Sequence, residues 1–384
     1  MVILDAPYAS DMLLDWLQAS QHPVLCNDFT RSIDTHALNL IEEAEAISLV
    51  NEGQRVYTNS ENALAWIQDK TDARTLKDGI QLFKDKLATR RALSGLDKDL
   101  FFKEYTLEEL VSEDHARLPD HLVLKPTVGF CSMGVYVISN ADEWDAALAD
   151  IKRDARRWQS MYPASVIDTQ SFIVEGYIEG QEYAIDAFFD GEGEAHVLNV
   201  LKHDFASPED TSDRMYVSGE HIYEKMMPLF KEWLDKVGRI TGVKDFPVHV
   251  EVRVKDGHIS PIEFNPLRFA GLGGTDVSEY AFGFRTYEAY LEDKLPDPSC
   301  YRTDDPDQVV TMSLLNPPSG TDGSESFDYD AFLEHFSDVC EMRRFDVNKV
   351  GNYGFLFVRV PSEDSPELDF LLHDDLRSFI HAGV

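Results

Sequence analysis

The sequence predicts a protein of mixed α/β and α+β class, and three observations lead to that prediction. Its 384 residues suffice for two or three domains, and a hydrophobic content of 43% is typical of globular proteins. Strand and helix signals alternate over residues 1–90, as in an open parallel sheet. Apolar and polar residues alternate around Val250, Val252 and Val254, which is typical of a half-buried antiparallel strand.

Charge and cysteine content exclude several classes of protein. The formal net charge of −35 comes from 70 acidic against 35 basic residues, and such a surface repels nucleic acids and anionic membranes. The four cysteines (Cys26, Cys131, Cys300 and Cys340) show no C-x-x-C spacing, so we expect reduced thiols. The first residues lack the pattern of a signal peptide, and no apolar run approaches transmembrane length. We therefore expect a cytoplasmic protein that binds neither nucleic acid nor membrane.

The first region, residues 1–90, is predicted to be an α/β domain. MVILDAP and HPVLCN are predicted strands, and Asp11 to Ala19 is a predicted amphipathic helix between them. Ser60-Glu61 is a helix-capping pair before ALAWI. The region contains no G-x-G-x-x-G, so a dinucleotide-binding fingerprint is absent.

Basic residues cluster in the next helical region, residues 76–94. It carries Lys84, Lys86, Arg90 and Arg91 in an otherwise acidic chain. A solvated helix face and an anion-binding face are both compatible with this composition.

A small-residue loop follows a predicted strand at Leu122 to Lys125. It contains Gly129, Ser132 and Gly134, and small residues let backbone N–H groups approach an anion closely. Lys125 adds a positive charge at the end of the strand. Hairpins also carry glycines, so the loop by itself is a weak indication of phosphate binding.

The middle of the chain is predicted to contain further strands and helices. Ala141 to Trp158 is a predicted helix, and the strand at Phe172 to Glu175 breaks at GYIEGQ and resumes as YAIDAFF, with HVLNVLKH pairing back. The segment 206–219 is polar and without pattern, so we expect a mobile loop there. Tyr223 to Val237 is a predicted helix that Pro228 either starts or kinks.

The stretch His249–Gly274 carries the densest chemistry of the sequence. It is predicted to form a hairpin with the valines on one face, which requires a bulged or three-residue turn. The other face carries His249, Glu251, Arg253, Glu263 and Asn265. Two carboxylates and an amide oxygen on one face are unfavourable unless a cation lies between them, and Mg²⁺ prefers such ligands. The alternative is a solvated strand face.

Residues 275–295 are predicted to be largely helical, and residues 296–384 to form a small α+β domain without visible chemistry. The strands expected there are VVTMSLL and YGFLFVRV, followed by a terminal helix in DDLRSFI. No internal repeat is evident.

Four motifs, taken in order, resemble those of the ATP-grasp superfamily, most closely its carboxylate–amine ligases of amino acids and peptides. They are FKDK, VLKPTVGFCSMGV, FIVEGYIEGQE, and HVEVRV followed by PIEFNPLRFAG, within residues 80–295. The resemblance implies an ATP-grasp fold: an N-terminal open parallel α/β domain (1–90), a two-lobed nucleotide-binding core (91–295) and a small C-terminal α+β domain (296–384). The implied lobes are 91–174 and 179–295, with a hinge at 175–178.

The resemblance also implies roles for individual residues. Lys86 and Lys125 would contact phosphates, and the loop would close over them. The implied nucleotide-binding residues are Lys86, Lys125, Gly129, Ser132, Met133, Gly134, Glu175, Gly176, Tyr177, Ile178 and Glu182. Glu251, Glu263 and Asn265 would hold one or two Mg²⁺, with Mn²⁺ as an alternative. Arg268 and Lys125 would be catalytic, although NPLR places the arginine one residue later than the usual N-x-R, so contact with the γ-phosphate and with a substrate carboxylate both stay open.

The implied activity is ATP-dependent ligation of a carboxylate to an amine through an acyl phosphate, on amino acids or small metabolites. An ATP-grasp kinase or phosphotransferase and a non-catalytic nucleotide-binding regulator are the alternatives. His203 and His249 are candidate proton acceptors, though such histidines more often pair with a carboxylate. The implied partners are ATP and small carboxylate and amine substrates, and assembly into homodimers is left open.

Overall fold

The structure is a computed structural model, and it describes residues 1–33, 37–127, 134–161, 171–207, 210, 212–321 and 323–381, without the side chains of 154–161. Within these residues no helix is both long and apolar enough to cross a membrane.

The N-terminal region forms a small parallel sheet surrounded by helices. Its elements are β1 (Val2–Ile3), α1 (Asp11–Ser20), β2 (Val24–Leu25), α2 (Asp28–Ser32), β3 (Leu40–Ile41), α3 (Glu43–Asn51), β4 (Tyr57–Thr58), a 3₁₀ helix (Glu61–Ala63), α4 (Leu64–Lys70), α5 (Arg74–Lys84) and α6 (Lys86–Leu93). The strand order is β3-β2-β1-β4, and every pairing is parallel. The predicted open parallel sheet is confirmed.

The helical region predicted at 76–94 is two helices, and the prediction of one was wrong. The Asp85 side chain accepts hydrogen bonds from the N–H groups of Leu87 and Ala88 at 2.9 and 3.0 Å, which makes it the N-cap of α6. This cap starts a new helix direction, so Lys84 and Lys86 leave the break towards different partners.

A second, four-stranded sheet forms the small lobe of the core. Its elements are β5 (Phe102–Thr106), α7 (Leu107–Ser112), a 3₁₀ helix (His115–Arg117), β6 (Leu122–Pro126), β7 (Tyr136–Ile138), α8 (Ala141–Met161) and β8 (Ser171–Gly176). The strands are antiparallel in the order β5-β8-β6-β7. The lobe has a hydrophobic core of its own, in which Trp144 and Ile151 of α8 pack with strand residues such as Phe172.

The large sheet carries the rest of the core and continues into the C-terminal region. The elements before residue 296 are β9 (Gln181–Phe189), β10 (Ala195–Asp204), β11 (Met215–Gly219), α9 (Glu220–Thr241), β12 (Phe246–Lys255), β13 (His258–Pro266), a 3₁₀ helix (Gly274–Asp276), α10 (Val277–Phe282) and α11 (Thr286–Leu291). The strand order is β13-β12-β9-β10-β11, followed by three strands of the C-terminal region.

The segment predicted as a mobile loop, 206–219, is only partly a loop. Met215–Gly219 form β11, which pairs with β10 on one side and with a C-terminal strand on the other. All five of its residues are buried. The sequence pattern did not predict this strand for two reasons. Polar residues precede Met215, and a strand of this length lies at the lower limit of what periodicity can detect.

Residues 296–384 extend the large sheet. The elements are a 3₁₀ helix (Pro298–Tyr301), β14 (Val309–Leu315), β15 (Ser326–Phe327), α12 (Tyr329–Leu333), β16 (Val339–Arg344), α13 (Val347–Val350), β17 (Gly354–Val360), α14 (Pro366–His373), a 3₁₀ helix (Arg377–Phe379) and β18 (Ile380–His381). β14, β17 and β16 follow β11 in the sheet, so this region shares a sheet with the core. The predicted strands are confirmed, whereas the terminal helix in DDLRSFI is reduced to the short 3₁₀ turn. The division into three domains stays a prediction.

Candidate active site

A cleft lies between the small lobe and the large sheet, and side chains from both line it. The small lobe contributes apolar residues, Lys125 of β6 and Glu175 of β8, and the large sheet contributes most of the other charged residues. The lining residues are Lys86, Val123, Lys125, Pro126, Val135, Val137, Glu175, Tyr177, Ile178, Glu182, His203, Phe205, Asp210, Asp213, Glu251, Arg253, Ile262 and Glu263. Eight of the predicted site residues are in this set.

The hairpin places its polar residues on one face, as predicted. His249 pairs with Asn265 and Glu251 pairs with Glu263 directly across the ladder of β12 and β13. The turn differs from the prediction, because Lys255 pairs with His258 around a plain two-residue Asp-Gly loop in which both residues have positive φ. The register is instead corrected within the ladder, where a bulge at Ile262 lets Glu263 face Glu251.

Glu263 destabilises the charged form of Glu251 across the hairpin. Burial and, next in size, the charge of Glu263 raise the pKa of Glu251 well above its usual value. A cation would relieve this repulsion. Asn265 is buried on the same face but lies outside the cleft lining.

The two predicted lysines lie at the cleft, each against a carboxylate. The Lys86 ammonium is 3.0 Å from Oε1 of Glu263. Burial lowers the pKa of Lys86, but Glu263, together with the charges of Glu61 and Glu251, outweighs burial and raises it. Lys125 pairs with Glu175, yet burial lowers its pKa, and the nearby charges of Arg90 and Lys86 act in the same direction. An anion beside Lys125 would therefore stabilise its charged form.

Glu175 has a different environment from the one that its predicted role suggests. Its carboxylate is held by Lys125 and by Arg90, whose Nε lies 2.7 Å away. Burial alone would raise the pKa of Glu175, but the two cations lower it to about 2. The Glu175 side chain therefore holds Arg90 and Lys125 in place.

Arg253, for which no role was predicted, contacts the hinge at 175–178. Arg253 donates from Nη1 to the Ile178 carbonyl at 2.7 Å and from Nε to Oε2 of Glu182 at 3.0 Å. Its guanidinium lies 5.0 Å from the centre of the Tyr177 ring. Gly176 is bonded through its N–H to the Phe101 carbonyl and does not line the cleft.

The candidate histidines both pair with carboxylates. His203 Nδ1 lies 2.8 Å from Glu182, and its ring stacks on Tyr216. His249 Nδ1 lies 2.7 Å from the fully buried Asp186, and its Nε2 is 3.8 Å from Glu251. Both histidines are oriented by these contacts, which favours the structural interpretation over proton acceptance.

Arg268 lies beside the cleft, outside its lining. Nη2 of Arg268 is 2.9 Å from Oε1 of Glu61, and Nη1 donates to the Phe269 carbonyl at 3.0 Å. Three predicted loop residues, Gly129, Ser132 and Met133, lie outside the described part of the chain, whereas Gly134 has the positive φ of 73° that favours glycine.

Several residues of the site were missed from the sequence. Asp210 and Asp213 line the cleft from the segment predicted as a loop, and Arg90 and Arg253 hold its carboxylates. Arg253 alternates with the valines in sequence and therefore lies on the same face as Glu251. This alternation is the sequence feature that could have identified Arg253 as a site residue. The aspartates gave no such signal, because no periodicity surrounds them.

Comparisons with known proteins agree with this architecture. Residues 118–276 match the family model of the ATP-grasp domain. No curated protein matches the chain in sequence.

Solved structures resemble the whole chain. The L-amino acid ligase from Bacillus licheniformis has a TM-score of 0.70 at 18% identity, over 99% of this chain and 97% of that one. The N5-carboxyaminoimidazole ribonucleotide synthetase from Thermotoga maritima has a TM-score of 0.61 at 14% identity, over 100% and 99%. The biotin carboxylase from Campylobacter jejuni, a complex with β-γ-ATP, has a TM-score of 0.62 at 12% identity, over 94% and 88%. At these identities, what is shared is the fold.

Proposed function

Because residues 118–276 form an ATP-grasp domain and the whole chain has the ATP-grasp fold, we propose that the protein is an ATP-dependent carboxylate–amine ligase. The observation that carries this proposal is the placement of Lys86 and Lys125 in one cleft with the facing pair Glu251 and Glu263. Two cations and two carboxylates in a cleft between two sheets are suited to a magnesium triphosphate.

The donor set fits a magnesium ion. The described residues contain no group of three or more His, Cys, Asp or Glu side chains arranged to hold a metal. The donors proposed from this part of the chain are two carboxylates and an amide. Mg²⁺ typically takes one or two carboxylates and completes its shell with phosphate oxygens and water. Glu251, whose pKa is raised by burial and by Glu263, is the carboxylate with most to gain from a cation. Glu251, Glu263 and Asn265 would hold the metal, which when bound supplies positive charge to the phosphate oxygens.

We assign the nucleotide base to the apolar part of the cleft lining, which includes Val123, Val137, Tyr177 and Ile262. Arg253 donates to the Ile178 carbonyl and to the Glu182 carboxylate, and so links the hinge to β9. Glu182, whose carboxylate also pairs with His203, would accept from the ribose hydroxyls.

The reaction transfers a phosphoryl group and then an acyl group. A carboxylate oxygen of the acid attacks the γ-phosphorus, and the bond to the β-phosphate oxygen breaks to release ADP. The amine nitrogen then attacks the acyl carbon, inorganic phosphate leaves, and the nitrogen loses a proton to solvent or a nearby base. Lys86 and Lys125 neutralise the phosphate oxygens, which reduces the repulsion between the two reacting anions.

The substrates belong to the amino acids or other small metabolites. Support comes from the neighbour that is an L-amino acid ligase. The identities of the acid and of the amine depend on the loops around the site, and a direct assay determines them.

A screen of amino acid pairs for ADP release, with mass spectrometry of the product, tests the proposal. A ligase releases ADP only when the acid is present and yields a condensed product with the amine. Hydroxylamine in place of the amine should give a hydroxamate of the acid. ADP release with a phosphorylated alcohol as product would instead identify a kinase, and ATP binding without turnover would identify a regulator.

A further inference from the structure

Glu61 belongs to the N-terminal region, yet its carboxylate lies between two cations at the edge of the active site. Oε1 is 2.9 Å from Nη2 of Arg268, and Oε2 pairs with the ammonium of Lys84. The side chain is 18% exposed. Burial alone would raise the pKa of Glu61, but Lys84 and Arg268 lower it to about 2, so the carboxylate is charged at neutral pH.

Arg268 stands between this carboxylate and those of the hairpin. Burial lowers its pKa, but Glu61, followed by Glu251 and Glu263, outweighs burial and raises it. In the reverse direction, the charge of Arg268 lowers the pKa of Glu251. Glu61 and the magnesium-binding pair therefore compete for one guanidinium.

The contacts decide this competition in favour of Glu61. Arg268 donates to Glu61 and to the Phe269 carbonyl, and its guanidinium has room there because Gly271 has no side chain: a Cβ at Gly271 would lie 3.3 Å from Nη1. After Glu61, the carboxylates whose charges act most strongly on Arg268 are Glu251 and Glu263 of the hairpin. An arginine bound to Glu251 would take the place that a metal needs.

We propose that Glu61 is a positioning residue, which holds Arg268 away from Glu251 and Glu263 and thereby keeps the metal-binding pair open. This proposal rests on the ligase function proposed above. Glu61 has no contact with the reacting groups in this arrangement and acts through Arg268. Through Arg268, the N-terminal region thus contributes to the geometry of the pair Glu251 and Glu263.

The competing explanation is that the ion pair of Glu61 and Arg268 only stabilises the contact between the N-terminal region and the core. A double-mutant cycle separates this explanation from positioning. The four proteins are the wild type, Glu61→Gln, Arg268→Gln and the double variant. Two quantities are measured on each: kcat/KM for the acid substrate, and the dissociation constant of ATP with magnesium by titration calorimetry. Glu43→Gln is the matched control, because Glu43 is an N-terminal carboxylate that pairs with Lys70 and Trp66 far from the cleft.

Positioning predicts that Glu61→Gln lowers kcat/KM by about 10- to 100-fold and weakens the binding of ATP with magnesium. On the Arg268→Gln background the same change should alter both quantities by less than about twofold, because the side chain through which Glu61 acts is gone. Glu43→Gln should leave both unchanged. An equal loss on the two backgrounds, or no loss on either, overturns the proposal.

Folding and the ligase activity are controlled separately. If Glu61→Gln fails to fold, Glu61→Asp keeps the charge and should retain more of both quantities than Glu61→Ala; equal losses in the two variants overturn positioning. If the wild type releases no ADP with any acid, the proposed ligase function fails. The cycle is then read from ATP affinity alone, which tests Glu61 independently.

Discussion

Glu263 lies at the point where the charges of the site meet. It faces Glu251 across the ladder and pairs with Lys86 at 3.0 Å. A glutamine in its place has the same shape and still accepts a hydrogen bond from Lys86, but it cannot supply the negative charge that a divalent cation requires. We therefore expect Glu263→Gln to fold and to lose magnesium-dependent turnover by about 100-fold or more, which corresponds to about 2.7 kcal/mol.

The measurement is ADP release against magnesium concentration, together with the thermal unfolding midpoint. Glu104→Gln is the matched control, because Glu104 is a strand carboxylate that pairs with Arg91 on the exposed side of the small lobe. Turnover of Glu263→Gln near the wild-type rate would mean that the metal lies elsewhere.

Lys125 is the second residue whose charge can be tested alone. Removing it leaves Glu175 bound to Arg90 only and takes one cation from the phosphate end of the cleft. A charge-assisted hydrogen bond contributes about 1.5–3 kcal/mol, so we expect Lys125→Ala to raise KM for ATP about tenfold or more. Lys103→Ala is the control, because Lys103 is an exposed lysine of the same sheet that pairs with Glu113. An unchanged KM would remove Lys125 from the phosphate site.

Among the elements, the break between α5 and α6 matters because Lys84, which pairs with Glu61, and Lys86, which lines the cleft, lie on either side of it. Asp85 caps α6, and the Lys86 ammonium pairs with Glu263. A continuous helix would fix the directions of positions 84 and 86 by its own geometry. The cap therefore determines where both ammonium groups point.

Asp85→Ala should lower the free energy of unfolding by about 1 kcal/mol, because two N–H groups lose their acceptor. It should also lower kcat/KM for ATP, since Lys84 and Lys86 lose their fixed directions. Asp346→Ala is the control, because Asp346 caps α13 in the C-terminal region. Denaturant unfolding and steady-state kinetics measure the two effects. Equal kcat/KM values for the two variants would show that the cap at Asp85 does not affect the site.

The hairpin of β12 and β13 shows how one residue sets the chemistry of a sheet face. The two-residue turn alone would place Ile262 opposite Glu251, because paired residues would then follow from Lys255 and His258 without interruption. The bulge at Ile262 brings Glu263 to that position instead. A single unpaired residue therefore produces the facing carboxylates.

For the whole molecule, buried carboxylates predict the pH at which the fold is lost. The pKa values of Glu61 and Glu175 are lowered from 4.5 to about 2, so the folded state holds their charge more strongly than the unfolded state. Their contribution to stability is complete above pH 4.5 and is lost as the pH falls through about 2. By linkage each contributes up to about 3 kcal/mol.

We expect circular dichroism melts to show a midpoint that falls steeply between pH 4.5 and 2 in the wild type. Glu175→Gln should show a lower midpoint at neutral pH and a shallower acid dependence, because the group that titrates is gone. An identical slope in wild type and variant would contradict the assignment. Glu251 acts in the opposite direction: its raised pKa means that the folded state prefers the protonated form, and stability is lost as the pH rises from 4.5 towards that pKa.

The continuous eight-stranded sheet changes the description of the C-terminal region. β14 pairs with β11 along its length, and Arg343 of β16 reaches the 3₁₀ helix after the hairpin, where Nη2 lies 2.8 Å from the buried Asp276. The region is therefore joined to the core by backbone pairing and by a buried ion pair.

The sequence by itself determined the class of fold and the face of the hairpin. Both depend on local periodicity: strands alternate every second residue, so Glu251, Glu263 and Asn265 could be placed together once the valines were assigned to the core. The order of the motifs then indicated the ATP-grasp fold, which the domain match and the structural neighbours bear out.

Only the tertiary structure decided which charges meet. Glu61 and Arg268 are 207 residues apart, Arg90 and Glu175 are 85 apart, and no period links such positions. The site of the bulge and the pairing of β11 were likewise undetermined, because each depends on strands that lie side by side only after folding. The periodicity of the sequence indicates which side chains are buried. The partner of a buried charge, in contrast, is determined by how distant segments of the chain pack together.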